Sequence, residues 1–538
     1  MKVLTCLYLV ILNGILLVDS SKILLMFTFF GKSHYFSGRS LAKGLAKAGH
    51  DVTLVSTFKD TDKVKEYTEV FLDGVNEQLG ITSSFNDMVL DTTALDTMIG
   101  VNYISKFITE ISLGHKKFQS LLKSNQTFDL IIQEDLCNDA LKGLSWYYNA
   151  PIILFSVFSS TNHLVSVTGS SVPSSYVPNV WSRSVSYPMT FWQRSMNFFL
   201  NTLESTVLHL YTYVVQQWML DKYFPGAPDL ETLNKNVALI FVNNHESVMP
   251  AIPQVPNMVN ILGFHLKENS KLPNELQNFM DEAKYGVILF SFGTFINVSD
   301  INNDTKVLFL KSFRKLKQKV IWKSDEYIME KPDNIRMEKW IPQEEILAHP
   351  NCKLFITHGG FNSVIETIYH AVPVLAMPLV GDQHFNAARI VDLNIGISTS
   401  FREITEEILD SLLEEILTNN KYQENVRRSS NLLKDRPVKP MDLVKYWVDY
   451  VIRHKDLSHM RLSGIDLVWY QYYSVDVILL WGGGFIAVIY LLPRGAPAPE
   501  TERQPIDNLG QRSSVSRASS VYSTRSNQSI IDLEKEYT

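Results

Sequence analysis

The residues whose types and spacing could do chemistry concentrate between Trp340 and Gln383. A short apolar run, Leu354-Phe355-Ile356, ends on Thr357-His358-Gly359-Gly360-Phe361-Asn362-Ser363. Asn362–His370 has helical spacing, and a second apolar run, Ala371–Met377, leads into Gly381-Asp382-Gln383. Apolar runs of this length are the buried strands of a parallel sheet, so the spacing predicts strand, glycine turn, helix, strand. Such a turn lies at the carboxyl end of a strand and feeds a helix N-terminus, where unpaired N–H groups and the helix dipole favour a phosphate. Gly359 and Gly360 let the backbone approach an anion with no Cβ in the way. Asn362 and Glu366 are four residues apart and share one helix face beside that anion. Trp340-Ile341-Pro342-Gln343, just upstream, adds a flat aromatic surface and an amide. Far from this cluster, His34 follows the strand-like run Ile23–Phe30, at the position where open α/β sheets bind ligands. A histidine so placed is by itself more often a cap or core residue than a catalyst.

The Trp340–Gln383 stretch closely resembles the signature of the UDP-glycosyltransferase family, membrane-bound enzymes that conjugate small lipophilic molecules with sugar. The resemblance implies a donor site in which Trp340 and Gln343, with Ile341 between them, hold the uracil. The Thr357-His358-Gly359-Gly360 turn takes the diphosphate, with Asn362 and Ser363 opening the helix behind it. Glu366 takes the ribose hydroxyls, and Asp382 and Gln383 take those of the sugar. Thr294, in the glycine turn after Val287–Phe292, joins His358 in stabilising the departing UDP. The resemblance makes His34 the general base, a task that suits an imidazole titrating near neutrality. A carboxylate behind the ring would fix its tautomer and stabilise the imidazolium. The family places an aspartate there; here Phe128-Asp129-Leu130-Ile131-Ile132-Gln133-Glu134-Asp135 puts Glu134 in register and Asp135 next to it. Glu134 is the first choice for the orienting acid and Asp135 the second. Attack from the face opposite UDP would invert the anomeric centre.

No cofactor beyond the UDP-sugar is implied, and no metal: Asp60-Thr61-Asp62 lies in a charged stretch that reads as a solvated loop, and no cluster has zinc spacing. Gly31-Lys32-Ser33 mimics the end of a P-loop, but Met26 stands where that loop needs glycine. The donor sugar is read from Ile252-Pro253, which precedes Val255-Pro256-Asn257 where glucuronosyltransferases of the family carry Arg-Pro. A uronate without its arginine would lose a charge-assisted hydrogen bond worth roughly 1.5–3 kcal/mol, which favours UDP-glucose over UDP-glucuronate. The acceptor expected is a small lipophilic molecule bearing a hydroxyl. Phe198–Tyr223, rich in Phe, Leu and Tyr, could help enclose it, although such aromatic stripes are usually core. The alternatives are a UDP-glucuronate-using conjugating enzyme, the same fold acting on a lipid-linked substrate, or a membrane-anchored binding protein with weak catalysis.

The elements that must position these residues form an α/β chain of the GT-B class, two Rossmann-like doubly wound domains facing a cleft, plus a C-terminal transmembrane helix. The expected divisions are a signal peptide (1–20), an acceptor-binding domain (21–265), a linker (266–285) and a UDP-sugar-binding domain (286–440). A returning helix and juxtamembrane segment (441–470), a transmembrane helix (471–492) and a disordered cytosolic tail (493–538) complete the chain. The signal reading rests on Lys2, the apolar run Val3–Val18 and the small residue Ser20. Together the two ends predict a single-pass type I protein of the endoplasmic reticulum membrane with luminal catalytic domains, glycosylated at acceptors such as Asn125, Asn297 and Asn303. A net charge of −6 with no basic stripe speaks against nucleic acid as a partner. Three cysteines, one of them in the leader, make no disulfide framework. Homo-oligomer formation is left open.

Overall fold

The computed structural model describes residues 20–60, 66–79, 93–157, 162–183, 188–267, 271–294 and 298–491. The signal reading (all but Ser20), Asp62, Asn297 and the 493–538 tail lie outside the described residues. The chain divides into two compact units, Met1–Val468 and Trp469–Thr538.

The first unit holds two parallel sheets. One contains β1 (Lys22–Phe27), β2 (Asp51–Ser56), β3 (Thr68–Phe71), β4 (Leu130–Glu134), β5 (Ile152–Ser156), β6 (Val237–Val242) and β7 (Met258–Asn260). Their order is β3-β2-β1-β4-β5-β6-β7. The other contains β8 (Val287–Ser291), β9 (Lys319–Lys323), β10 (Ile335–Glu338), β11 (Cys352–Thr357), β12 (Val374–Ala376) and β13 (Gly396–Ser398), in the order β10-β9-β8-β11-β12-β13. Every pairing is parallel; Leu25 lies opposite Ile132, and Phe290 opposite Ile356. Helices cover both faces, which is why the central strands are near-continuous apolar runs rather than alternating ones. In each sheet the order reverses beside the first strand, at β1/β4 and at β8/β11. These are the two crevices where an open sheet offers its carboxyl ends to a ligand.

The helix after β1 spans Lys32–Lys47. Gly38 lowers intrinsic helicity there, yet packing requires it. A Cβ on Gly38 would stand 2.4 Å from the Phe27 ring, so the glycine lets the helix lie directly on β1. His34 therefore sits in the first turn of a helix rather than in a loop. The helix Pro440–His454 packs onto the first sheet's side, with Val444, Val448 and Val451 fully buried among Leu41, Leu45 and Phe241. The two halves are also stitched directly. Val248, Met249 and Leu262 share a core with Phe361, Ile365 and Phe385. Arg389 Nε donates to the Val248 carbonyl (2.8 Å), and Arg436 Nη1 donates to that of Leu262 (2.7 Å).

In the second unit, the continuous 471–492 span expected from sequence is not formed. A short helix, Trp469–Tyr472, is separated from Val475–Leu491 by Ser474, whose backbone is left-handed (φ 54°). The aromatic belt thus does not extend the apolar helix, which at 17 residues is about 26 Å long. Among the described residues no helix is long and apolar enough to cross a membrane. A further departure concerns Phe198–Tyr223. Its Phe198, Phe199, Leu210, Tyr211 and Trp218 are exposed, whereas Asn201, Thr212 and Gln216 are buried.

Candidate active site

β4 ends with Gln133 and Glu134, polar residues that are nonetheless fully buried. The Glu134 carboxylate is held at the β1/β4 crevice, and the His34 imidazole reaches it from the helix after β1, Nδ1 to Oε1 at 2.5 Å. The ring packs against Phe29 at 4.6 Å between centroids, which fixes its plane. Asp135, the second choice for this role, is engaged elsewhere: its carboxylate faces His163 Nε2 at 3.2 Å. Glu134 is the last residue of β4 and Asp135 lies just past it, and the two carboxylates meet different imidazoles. His163 also meets Asp139 (3.3 Å), which pairs with the buried Lys142. Burial opposes a charged His163, but Asp139 and Asp135 outweigh it and push the imidazole up to about 10.

The second crevice gathers most of the sequence-predicted donor residues. Thr357 closes β11, and Gly359 follows with φ 80°. The His358 imidazole lies between two glycines: a Cβ would stand 2.7 Å from it on Gly293 and 2.5 Å from it on Gly360. Burial, reinforced by the charge of Lys323, holds His358 down at about 4. The ring is therefore neutral at physiological pH and offers an N–H rather than a full positive charge. Thr294 is exposed at the mouth of the β8 turn. Asn362 and Ser363 begin the helix Phe361–His370. One turn on, Glu366 Oε2 accepts from Gln343 Nε2 (2.7 Å), which also lies 3.1 Å from Ser363 Oγ. Burial pushes the Glu366 carboxyl up to about 8, with the Gln343 hydrogen bond opposing. Ile341 is buried beneath this corner, while the Trp340 ring is half-exposed.

Asp382 and Gln383 sit where β12 gives way to the helix Gln383–Asp392. Gln383 Oε1 accepts from the backbone N–H groups of Leu379 (2.9 Å) and Val380 (3.1 Å), leaving its amide nitrogen as the end that can donate to a hydroxyl. Asn386 Nδ2 donates to Asp382 Oδ2 (2.7 Å) and to the Gly359 carbonyl (3.0 Å), tying the Asp-Gln turn to the glycine turn. Burial raises the Asp382 carboxyl, and the Asn386 hydrogen bond and nearby His34 pull the other way.

That last influence joins the two crevices, because His34 and Asp382 come from different sheets. Lys32, two residues before His34, places its Nζ 4.8 Å over the Trp340 ring, and the Phe36 ring lies 6.3 Å from it. Lys323, at the end of β9, donates to the Gly293 carbonyl and is held below the usual lysine range by burial and by Lys32. Sequence reading missed Lys32, Lys323 and Asn386. Only Asn386 left a signal, its four-residue spacing from Asp382 on one helix face. Among the described residues no group of three or more His, Cys, Asp or Glu side chains is arranged to hold a metal ion.

Two doubly wound sheets with apposed crevices are the architecture of GT-B glycosyltransferases. Among solved structures, the calicheamicin glycosyltransferase CalG4 matches with a TM-score of 0.56 at 16% identity, covering 81% of this chain and 99% of that one. The kitacinnamycin glycosyltransferase gives 0.55 at 15% identity, with the same coverage. At such identities the likeness speaks to the fold. Sequence comparison supplies the family: the model described as UDP-glucoronosyl and UDP-glucosyl transferase matches residues 25–493, and the chain belongs to that family. The UDP-glycosyltransferase UGT4 of Dactylopius coccus is 33% identical over 89% of this chain and 96% of that protein. UDP-glucosyltransferase 2 of the same insect is 31% identical over 88% and 92%. The human UDP-glucuronosyltransferase 1A6 is 30% identical over 85% and 87%. The chain is therefore a glycosyltransferase that takes its sugar from a UDP-sugar.

Proposed function

We propose that this enzyme transfers glucose from UDP-glucose to a hydroxyl of a small lipophilic acceptor, with inversion, using His34 as general base. The observation that carries the reading is the His34–Glu134 contact at 2.5 Å, at the crevice opposite the donor corner. With Nδ1–H donating to the carboxylate, Nε2 is the basic nitrogen. It takes the acceptor proton as the acceptor oxygen bonds to the anomeric carbon. The bond from that carbon to the diphosphate oxygen breaks, and UDP leaves with the electron pair. Uracil lies against Trp340 and Gln343, the ribose on Glu366, and the sugar hydroxyls on Asp382 and Gln383. The diphosphate meets His358 and the N–H groups that open the Phe361–His370 helix. Glucose is favoured over glucuronate because Ile252, where an arginine would meet a uronate, is apolar.

A screen of the purified full-length protein against UDP-glucose, UDP-glucuronate and UDP-galactose, with phenols and steroids as acceptors, tests this. The expected product is a β-glucoside identified by NMR. Preference for UDP-glucuronate overturns the sugar assignment, and an α-linked product overturns the single displacement.

We further propose that the enzyme is held at the endoplasmic reticulum membrane with its catalytic unit in the lumen. The helix Val475–Leu491, uncharged after Asp476, and the apolar run Val3–Val18 support this. Asn125 is exposed and would carry a glycan in that compartment. A mobility shift on endoglycosidase treatment, made smaller in Asn125→Gln, is the expected result; an unshifted protein with Asn125 unmodified opposes a luminal catalytic unit.

A further inference from the structure

The Gly31-Lys32-Ser33 turn is not a P-loop, yet it places a lysine in the first turn of the helix Lys32–Lys47, just past the carboxyl end of β1. Local physics is against that placement. Gly31 gives the helix no side-chain cap, no acid stands in its first turn, and a cation there opposes the helix dipole. Lys32 is nevertheless half-buried, its stem crossing from the first sheet toward the second. Its ammonium stands 4.8 Å over the Trp340 ring and 5.8 Å over that of Phe36. Among the described residues it makes no ion pair.

A second cation lies nearby. Lys323, at the end of β9, donates to the Gly293 carbonyl, and Gly293 packs against the His358 imidazole. Burial and then the charge of Lys32 hold Lys323 below the usual lysine range, so the two ammonium groups repel one another. Asp325 pulls the other way, but its carboxylate is taken up by the N–H groups of Val298 (2.7 Å) and Ser299 (3.2 Å) and by the Ser299 hydroxyl (2.6 Å). Like charges held this close cost free energy that an anion seated against both would recover. Trp340 marks the base end of the donor site read above and His358 its diphosphate end; Lys32 bears on both. A lysine is a compact charge on a flexible stem, able to keep its methylenes on a ring while the head turns to a phosphate. We propose that Lys32 is a donor-binding residue supplied by the first sheet, whose ammonium bonds the diphosphate of the UDP-sugar from across the cleft. There it would offset the charge that grows on UDP as the glycosidic bond breaks. The inference rests on that donor-site reading and adds to it a contact from the other half of the chain.

The test measures binding of UDP-glucose, UDP and uridine to the full-length chain carrying Lys32→Met or Lys32→Arg. Methionine keeps an unbranched stem against Trp340 without the charge, and arginine restores the charge. Lys32→Met is expected to weaken UDP-glucose and UDP about tenfold or more, the loss of one charge-assisted hydrogen bond, and to leave uridine within about twofold. Lys32→Arg should recover most of the lost affinity, and both variants should keep the thermal midpoint of the unsubstituted chain. Equal weakening of all three ligands would overturn the proposal by making Lys32 a prop for the Trp340 ring. Unchanged or tighter UDP-glucose binding overturns it as well, the latter by making Lys32 a competitor of the base. Trp340→Ala separates the inference from the donor site beneath it. Uridine affinity lost in Trp340→Ala and kept in Lys32→Met supports both, whereas uridine affinity unmoved by Trp340→Ala overturns the donor corner itself.

Discussion

The His34 imidazole and the Glu134 carboxylate meet at 2.5 Å although a hundred residues separate them in the chain. The contact joins the first turn of the helix after β1 to the last residue of β4. Parallel pairing of those strands brings the two positions to the same sheet end. His34→Ala is expected to abolish transfer while leaving UDP-sugar affinity within about twofold, because a general base contributes roughly 10²–10⁴-fold to rate rather than to donor binding. Glu134→Gln should lower kcat by a comparable factor, since an amide cannot hold the imidazolium. Single-turnover rates together with calorimetric donor binding check this; donor binding lost in parallel with transfer would contradict the assignment.

Asp135→Asn should behave differently, leaving kcat nearly intact and lowering stability, because that carboxylate serves His163. The pH dependence has a definite sign. With its folded value raised to about 10 from an ordinary 6.5, His163 contributes stability that is complete below pH 6.5 and lost as pH rises toward 10. Its contribution to the slope is at most about 1.4 kcal/mol per pH unit. Denaturation midpoints between pH 6 and 9 should therefore fall with pH, and His163→Asn should flatten the decline. An equal slope in the variant would show that other groups produce it.

With Glu366 as the proposed ribose ligand, donor binding should be pH-dependent in the opposite sense. Its carboxyl, raised to about 8, is largely protonated near pH 7, whereas accepting both ribose hydroxyls requires the carboxylate. UDP-glucose affinity should rise up to about tenfold per unit between pH 6 and 8, then level off. Glu366→Gln should bind more weakly and with no such rise. UDP-glucose is the right probe because its diphosphate diester does not titrate in this range. A wild-type profile that is flat from pH 6 to 9 would remove Glu366 from the ribose contact.

Gly360→Ala should cost donor binding more than it costs stability. The new methyl group would stand 2.5 Å from His358 Nε2 and displace the imidazole proposed to meet the diphosphate. Gly293→Ala adds backbone strain at φ 73° to the same clash and should be the worse of the two. KM for UDP-glucose compared with the thermal midpoint of each variant distinguishes loss of the site from loss of the fold.

The donor corner was legible in the chain because its contacts are local. Thr357 to Glu366 is one strand, turn and helix, and glycine, histidine and carboxylate at those spacings carry the chemistry with them. The strands were legible for a similar reason, since burial on both faces leaves unbroken apolar runs. The start of the first helix was not: Gly38 argues against a helix locally, and only its seat on Phe27 overrides that. The outward turn of Phe198, Leu210 and Trp218 within Phe198–Tyr223 was equally hidden, because a sequence pattern locates two faces without saying which one turns inward.

What the sequence determined by itself was the family, the glycine turn after β11 and the presence of a histidine shortly after β1. Tertiary structure decided which acid stands behind that histidine: Glu134, the last residue of β4, meets His34, and Asp135, just past the strand, meets His163. It also decided that Lys32 reaches Trp340 and that His34 comes near enough to Asp382 to oppose the rise of its carboxyl. Those pairings depend on strand order and on the packing of two sheets, which are set by the whole chain's burial and leave no mark at either position.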